Sequence, residues 1–138
     1  MMGMAGLPAM LRADDKKDNP YGGFTLGVQS YSFREFDTEQ ALKRIQDLGL
    51  HFVEFYQKHA PLDSTGAQVK ALVKLCGDYG IKPIAYGVQS FTKNHDANKK
   101  VFEFGKELGI TELRDLETNG RAHFLLSDIS KNWWEITS

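Results

Sequence analysis

Leu48-Gly49-Leu50, Tyr79-Gly80-Ile81 and Leu108-Gly109-Ile110 decide the fold. Each closes a helix-like run with an apolar or aromatic residue, a glycine, and then Leu or Ile. The glycines stand 31 and 29 residues apart. A fixed period of that length is one supersecondary unit repeated. Here the unit reads as strand, helix, glycine stop, next strand, which is the repeat of a parallel α/β fold. Glycine suits the stop because it adopts the left-handed conformation that ends a helix without a Cβ penalty.

Working outward, the three units fill in. The run Phe24-Thr25-Leu26-Gly27-Val28-Gln29-Ser30 is short and largely apolar, as buried parallel strands are. The first helix starts at Asp37, with Gln40 three residues on in a capping-box pattern, and its apolar stripe is Ala41, Leu42, Ile45 and Leu48. His51-Phe52-Val53-Glu54-Phe55-Tyr56 is the second strand. The next helix, capped by Ser64 or Thr65, carries Val69, Leu72, Val73, Cys76 and Tyr79 at helical spacing. Lys82-Pro83-Ile84-Ala85-Tyr86-Gly87-Val88 is the third strand, with Pro83 acceptable at its start. A third helix begins near Asn94 or Asp96 and buries Ala97, Val101, Phe104 and Leu108, with Phe102 to one side.

After Ile110 the pattern changes. Ile110, Leu113 and Leu116 lie three apart, which is helical spacing, and four of the seven residues from 111 to 117 are charged. That composition predicts no interior parallel strand there. The expected organisation is therefore 19–110 as the α/β part and 111–138 as a divergent tail containing Trp133-Trp134. Residues 1–18 stand apart: a small-residue apolar run precedes the charged stretch Asp14-Asp15-Lys16-Lys17-Asp18. They read either as the remnant of an export signal, implying a periplasmic protein, or as a terminus of no address, implying a cytoplasmic one.

Bulk properties exclude some classes of function. With 17 basic and 18 acidic residues and a net charge of −1, no basic stripe supports nucleic-acid binding. The single Cys76 excludes an internal disulfide and reads as a core residue. No stretch approaches the length of a membrane span.

Ligands of parallel α/β folds bind at the carboxyl ends of the strands. The stretches there are Gln29-Ser30-Tyr31-Ser32-Phe33-Arg34, Glu54-Phe55-Tyr56-Gln57-Lys58-His59 and Tyr86-Gly87-Val88-Gln89-Ser90-Phe91. Gly-Val-Gln-Ser occurs twice, at 27–30 and 87–90. Amide, hydroxyl, aromatic and guanidinium groups at one rim suit a polyhydroxylated ligand, with rings to stack on its apolar faces. Each residue also has a structural reading. Gln29 and Gln89 can satisfy loop backbone, and Arg34 can pair with Glu35 or Asp37. Ser30 and Ser90 read as turn or cap residues, and His59 as a solvated loop residue. Glu54 differs, since a carboxylate within an apolar strand needs a partner or a ligand.

The segment 24–110 resembles the amino-terminal part of the xylose isomerase-like barrels, the sugar phosphate isomerase/epimerase family. The resemblance is carried by Leu26 to Arg34 read as one run, Leu48-Gly49-Leu50 with Val53-Glu54-Phe55-Tyr56 and His59, Ile81 to Val88, and Lys100-Val101-Phe102-Glu103-Phe104 with Leu108-Gly109-Ile110. It implies part of a (β/α)8 TIM barrel and aldose–ketose isomerisation or epimerisation by proton transfer next to a carbonyl. It also implies a divalent metal (Mn, Mg or Zn) in complete members, whose ligands come from later strands. No metal ligand or catalytic base is therefore carried over to this chain. The transferable rim positions, as substrate contacts for a sugar or sugar phosphate, are Gln29, Tyr31, Arg34, Glu54, Tyr56, His59 and Tyr86. The related abasic-site endonuclease branch uses histidines at strand ends, and Tyr86-Gly87-Val88 offers none.

A complete barrel takes about 250 residues, and this chain has 138. The expectation is a truncated chain, inactive alone, whose open sheet exposes Val28, Val53 and Ala85 on its inner face and favours self-association. The alternative is a non-catalytic carbohydrate-binding or assembly module.

Overall fold

The computed structural model describes residues 21–115 and 123–125. Parallel strands alternate with helices in chain order: β1 (Gly27–Gln29), α1 (Thr38–Asp47), β2 (Phe52–Phe55), α2 (Gly66–Asp78), β3 (Lys82–Gln89), α3 (His95–Leu108) and β4 (Glu112–Asp115). A further strand, β5 (His123–Leu125), pairs antiparallel with β4. The sheet order is β1-β2-β3-β4-β5, so each βα unit places its strand beside the previous one, as in part of a TIM barrel.

The local signals hold residue by residue. Gly49, Gly80 and Gly109 all sit at positive φ, at 71°, 67° and 74°. The Asp37 carboxylate accepts the Gln40 N–H at 2.8 Å, and Asn94 accepts the Ala97 N–H at 3.1 Å. The complete capping box belongs to α2, where Thr65 and Gln68 cap each other. Pro83 is the second residue of β3, where its missing N–H falls beside a bulge that shifts the register between Val53 and Glu54.

The helix side of the sheet holds the core. Leu42 and Ile45 of α1, Val69 and Cys76 of α2, and Val101, Phe104 and Leu108 of α3 close over Val53, Phe55, Tyr86 and Leu113. Two side chains of α3 depart from expectation. Ala97 is exposed, and Asn98 takes its place in the interior, donating to the Thr92 carbonyl at 2.7 Å. Phe102 is buried and stacks on Phe91 with ring centroids 5.3 Å apart.

Two larger expectations are corrected. The first concerns the end of the parallel pattern. Residues 112–115 form a parallel strand beside β3, in register Ala85 with Glu112 and Tyr86 with Leu113. Ile110 is buried in the turn ahead of the strand, so its spacing to Leu113 is no helical period. Within the strand the alternation is charged, apolar, charged. Leu113 enters the core while Glu112 and Arg114 face the other side, so the parallel pattern runs one strand beyond Gly109. The second correction concerns the inner face. Val53 is wholly buried on the helix side and Val28 packs against the same core. The row that crosses the inner face is Gln29, Glu54, Ala85 and Glu112, aligned by the parallel register. Its Ala85 is itself buried. The leader-like residues 1–18 and Trp133-Trp134 lie outside the described residues.

Candidate functional site

The carboxyl ends of β1, β2 and β3 meet at a polar and aromatic rim. Just past β1 the chain makes a single 3₁₀ turn, Ser30–Phe33, which turns Tyr31 outward and Ser30 inward. The Ser30 hydroxyl is fully buried and accepts the Tyr56 N–H at 3.1 Å, tying the end of β1 to the end of β2. Tyr31 and Tyr56 then meet edge to face, with centroids 5.3 Å apart. The Arg34 guanidinium lies 4.9 Å from the Tyr31 ring centre, and its Nε is 3.6 Å from Glu35. Lys58 reaches back across the rim and donates to the Arg34 carbonyl.

Gln29, Tyr31, Tyr56, Gln57, Gly87 and Val88 enclose a hollow of about 400 Å³. Below it, on the inner face of the sheet, a second hollow of about 390 Å³ is floored by Glu54 and Ala85 and walled by Glu112 and Arg114. Gln29 borders both. Both volumes fall within the usual range of small-molecule sites.

Glu54 has the partners that a strand carboxylate needs. Gln29 Nε2 donates to one carboxylate oxygen at 3.0 Å, and Arg114 Nε lies 3.1 Å from the other. The Arg114 Nε is buried and not in line for a hydrogen bond, so its contact with Glu54 is an ion pair. Gly87 makes this reach feasible. A Cβ there would stand 2.7 Å from the Arg114 Cβ, so only glycine leaves room for the arginine to cross β3.

The seven positions singled out from sequence separate into two groups. Gln29, Tyr31, Arg34, Glu54 and Tyr56 gather at the rim or on the inner face. His59 and Tyr86 do not join them. His59 is 2% exposed, and its Nε2 lies 3.0 Å from the Phe36 carbonyl. It therefore carries its proton on Nε2, and burial lowers its pKa. The Tyr86 hydroxyl donates to the Ala60 carbonyl at 3.0 Å inside the core, and burial pushes its pKa up to about 12. Arg114, Glu112, Gln57 and Gly87 join the site from outside that group. Gln57 and Gly87 were visible in the rim stretches. Arg114 and Glu112 were hidden by the helical reading of 110–117.

The family resemblance implies a divalent metal in complete members. Among the described residues no three His, Cys, Asp or Glu side chains converge to hold one. No helix of the described residues is long and apolar enough to cross a membrane.

No protein-family model matches the chain, nor does any curated protein. Solved structures do. An uncharacterised protein from Parabacteroides distasonis ATCC 8503 matches at 25% identity with a TM-score of 0.61, over 67% of this chain and 42% of that one. A xylose isomerase domain-containing protein from Salmonella typhimurium LT2 matches at 14% identity and TM-score 0.51, over 64% of this chain and 35% of its own. D-psicose 3-epimerase, crystallised in the presence of D-fructose, matches at 17% identity and TM-score 0.50, over 67% and 37%. The likeness to the latter two is one of fold. The chain spans well under half the length of each of these structures.

Proposed function

We propose that the chain supplies the sugar-binding side of an isomerase or epimerase-like barrel and catalyses no isomerisation by itself. The observation that carries this reading is the pair of hollows joined at Gln29, roofed by Tyr31 and Tyr56 and floored by Glu54. A sugar needs both kinds of surface. Its hydroxyls seek amide and carboxylate partners, and its C–H faces seek aromatic rings. The substrate contacts are Gln29, Tyr31, Glu54 and Tyr56, with Arg34 at the outer edge.

Proton transfer next to a carbonyl needs a base on one side and an electrophile on the oxygen. Of the two carboxylates that line the inner hollow, Glu54 is already paired with Arg114, and no metal-ligand cluster stands beside Glu112 among the described residues. The chain spans 35–42% of the matched structures, which supports a reading in which the remaining catalytic groups belong to strands beyond β4. The test is calorimetric titration of the full chain with D-fructose, alongside chromatography for sugar turnover with Mn²⁺ added. Millimolar binding without turnover is the expected result. Metal-dependent turnover would overturn the inactivity, and absence of binding would overturn the sugar site.

One observation favours a second reading, a small binding or assembly module. β5 pairs antiparallel with β4, where a continuing barrel would add a parallel strand. In that reading the open β1 edge, beside Phe24 at 77% exposure, self-associates. Light scattering on a sized column distinguishes it, since a discrete, cooperatively melting dimer is then the outcome.

A further inference from the structure

We infer that the site takes an oligosaccharide of at least two sugar residues, with Gln57, Leu62, Asp63 and Lys100 as the subsite for the second. This rests on the sugar-binding reading and narrows its substrate class.

The observation is a third hollow, of about 420 Å³, lined by Gln57, Leu62, Asp63 and Lys100. It adjoins the rim hollow at Gln57, as the rim hollow adjoins the inner one at Gln29. The three therefore run in series. They lead from the inner face of the sheet, past Tyr31 and Tyr56, to the outer side of the loop that follows β2. Each alone lies toward the small end of the usual range for ligand sites, about 300–1,000 Å³. A sugar held at the Gln29 junction leaves the hollow beyond Gln57 open to a second residue linked to it.

The loop that walls this subsite is fixed from within. The Tyr56 carbonyl accepts the His59 N–H at 3.1 Å and the Ala60 N–H at 3.2 Å, and the Pro61 carbonyl accepts the Ser64 N–H at 3.1 Å. His59 and Tyr86, which line none of the three hollows, hold the loop from below. His59 Nε2 donates to the Phe36 carbonyl, and the Tyr86 hydroxyl donates to the Ala60 carbonyl. A wall fixed in advance loses little freedom when a ligand arrives. Lys100 comes from the other side, as the sixth residue of α3.

The lining has the chemistry of a sugar subsite. Leu62 is half-buried, and the Lys100 stem adds methylenes, so C–H faces have apolar surface to rest on. The Asp63 carboxylate accepts from hydroxyls, the Lys100 ammonium donates to them, and the Gln57 amide does both. Asp63 and Lys100 form no ion pair with each other or with another described residue. One carboxylate and one ammonium balance in charge, which suits a neutral second residue.

The experiment titrates the full chain with D-fructose and with four disaccharides that carry fructose through different linkages: sucrose, turanose, lactulose and palatinose. At least one disaccharide should bind about tenfold more tightly than D-fructose, the factor that one or two net hydrogen bonds contribute. In Asp63→Asn/Lys100→Met the ratio of that disaccharide's affinity to that of D-fructose should fall toward one. Both positions are exposed, and circular dichroism melting checks that the variant is folded. If no disaccharide binds more tightly than D-fructose, the inference is overturned and the sugar site stands. A tighter disaccharide whose advantage survives in the folded variant overturns the assignment of the subsite. Binding of no sugar overturns the sugar reading and the inference with it.

Discussion

Replacing Leu113 by Ala tests whether the fourth strand belongs to the fold. Leu113 is fully buried and stands in register with Tyr86 on β3 and Phe124 on β5. It belongs to the same core as Val101, Phe104 and Leu108. Truncation there removes transfer free energy and leaves a cavity against the packed side chains of β3 and α3. Such Leu→Ala changes cost about 2–5 kcal/mol. Domains of this size are stable by about 5–15 kcal/mol, so the loss is a large share of the total. With a urea slope of about 1–3 kcal/mol/M, the unfolding midpoint should fall by about 1–2 M. The assay is urea unfolding followed by circular dichroism, with Val73→Ala on α2 as the comparison. Val73 is 37% exposed, and its change should stay within about 0.5 kcal/mol. A loss below about 1 kcal/mol for Leu113→Ala would refute the reasoning, because a side chain on a solvated helix would lose no more than that.

Three further outcomes follow from the same geometry. Ser30→Ala strands the buried Tyr56 N–H and should cost about 1–3 kcal/mol in urea unfolding, while Ser90→Ala at the exposed copy should be near neutral. The Cys76 thiol, buried and pushed up to about 12, should resist thiol reagents at pH 8 in the folded chain and label fully in denaturant. His59 has a folded pKa below its ordinary 6.5, so the unfolded state binds its proton first; stability should fall as pH drops through 6.5, and His59→Gln should flatten that slope.

The fold was legible where the signal is local. A glycine after a helix, an Asp, Thr or Asn ahead of one, and a short apolar run between them each reflect backbone chemistry within a few residues. Asp37, Thr65, Asn94 and the three stop glycines all appear where that chemistry puts them. The faces of the strands were not legible in the same way. β2 reads Phe-Val-Glu-Phe, and a strand covered on both sides gives no alternation to separate helix side from barrel side. Glu54 itself was the clue to parity. A paired carboxylate belongs on the face away from the apolar core, which places Val53 and Phe55 against the helices. β4 was misread for the converse reason. Its charges argue against a strand apolar on both faces, but Glu112 and Arg114 share one face while Leu113 alone enters the core. Arg114 could be placed only with knowledge of β2, some 60 positions earlier in the chain.

The two copies of Gly-Val-Gln-Ser show how far identical sequence can diverge in role. In both, glycine stands where a neighbouring strand comes too close for a side chain. A Cβ on Gly27 would lie 2.8 Å from the Phe52 carbonyl oxygen, and one on Gly87 would lie 2.7 Å from the Arg114 Cβ. That shared steric demand is local to the strand, so it repeats. The next residues answer to context that does not repeat. The first copy is itself the three-residue edge strand and runs into a 3₁₀ turn, which buries Ser30 and leaves Gln29 donating to Glu54. The second closes an eight-residue interior strand, where Gln89 is buried and Ser90 exposed. The first copy therefore ties two strand ends together and supplies the amide that donates to Glu54. The second contributes an absence, the missing side chain of Gly87, and it is that absence which lets Arg114 reach Glu54.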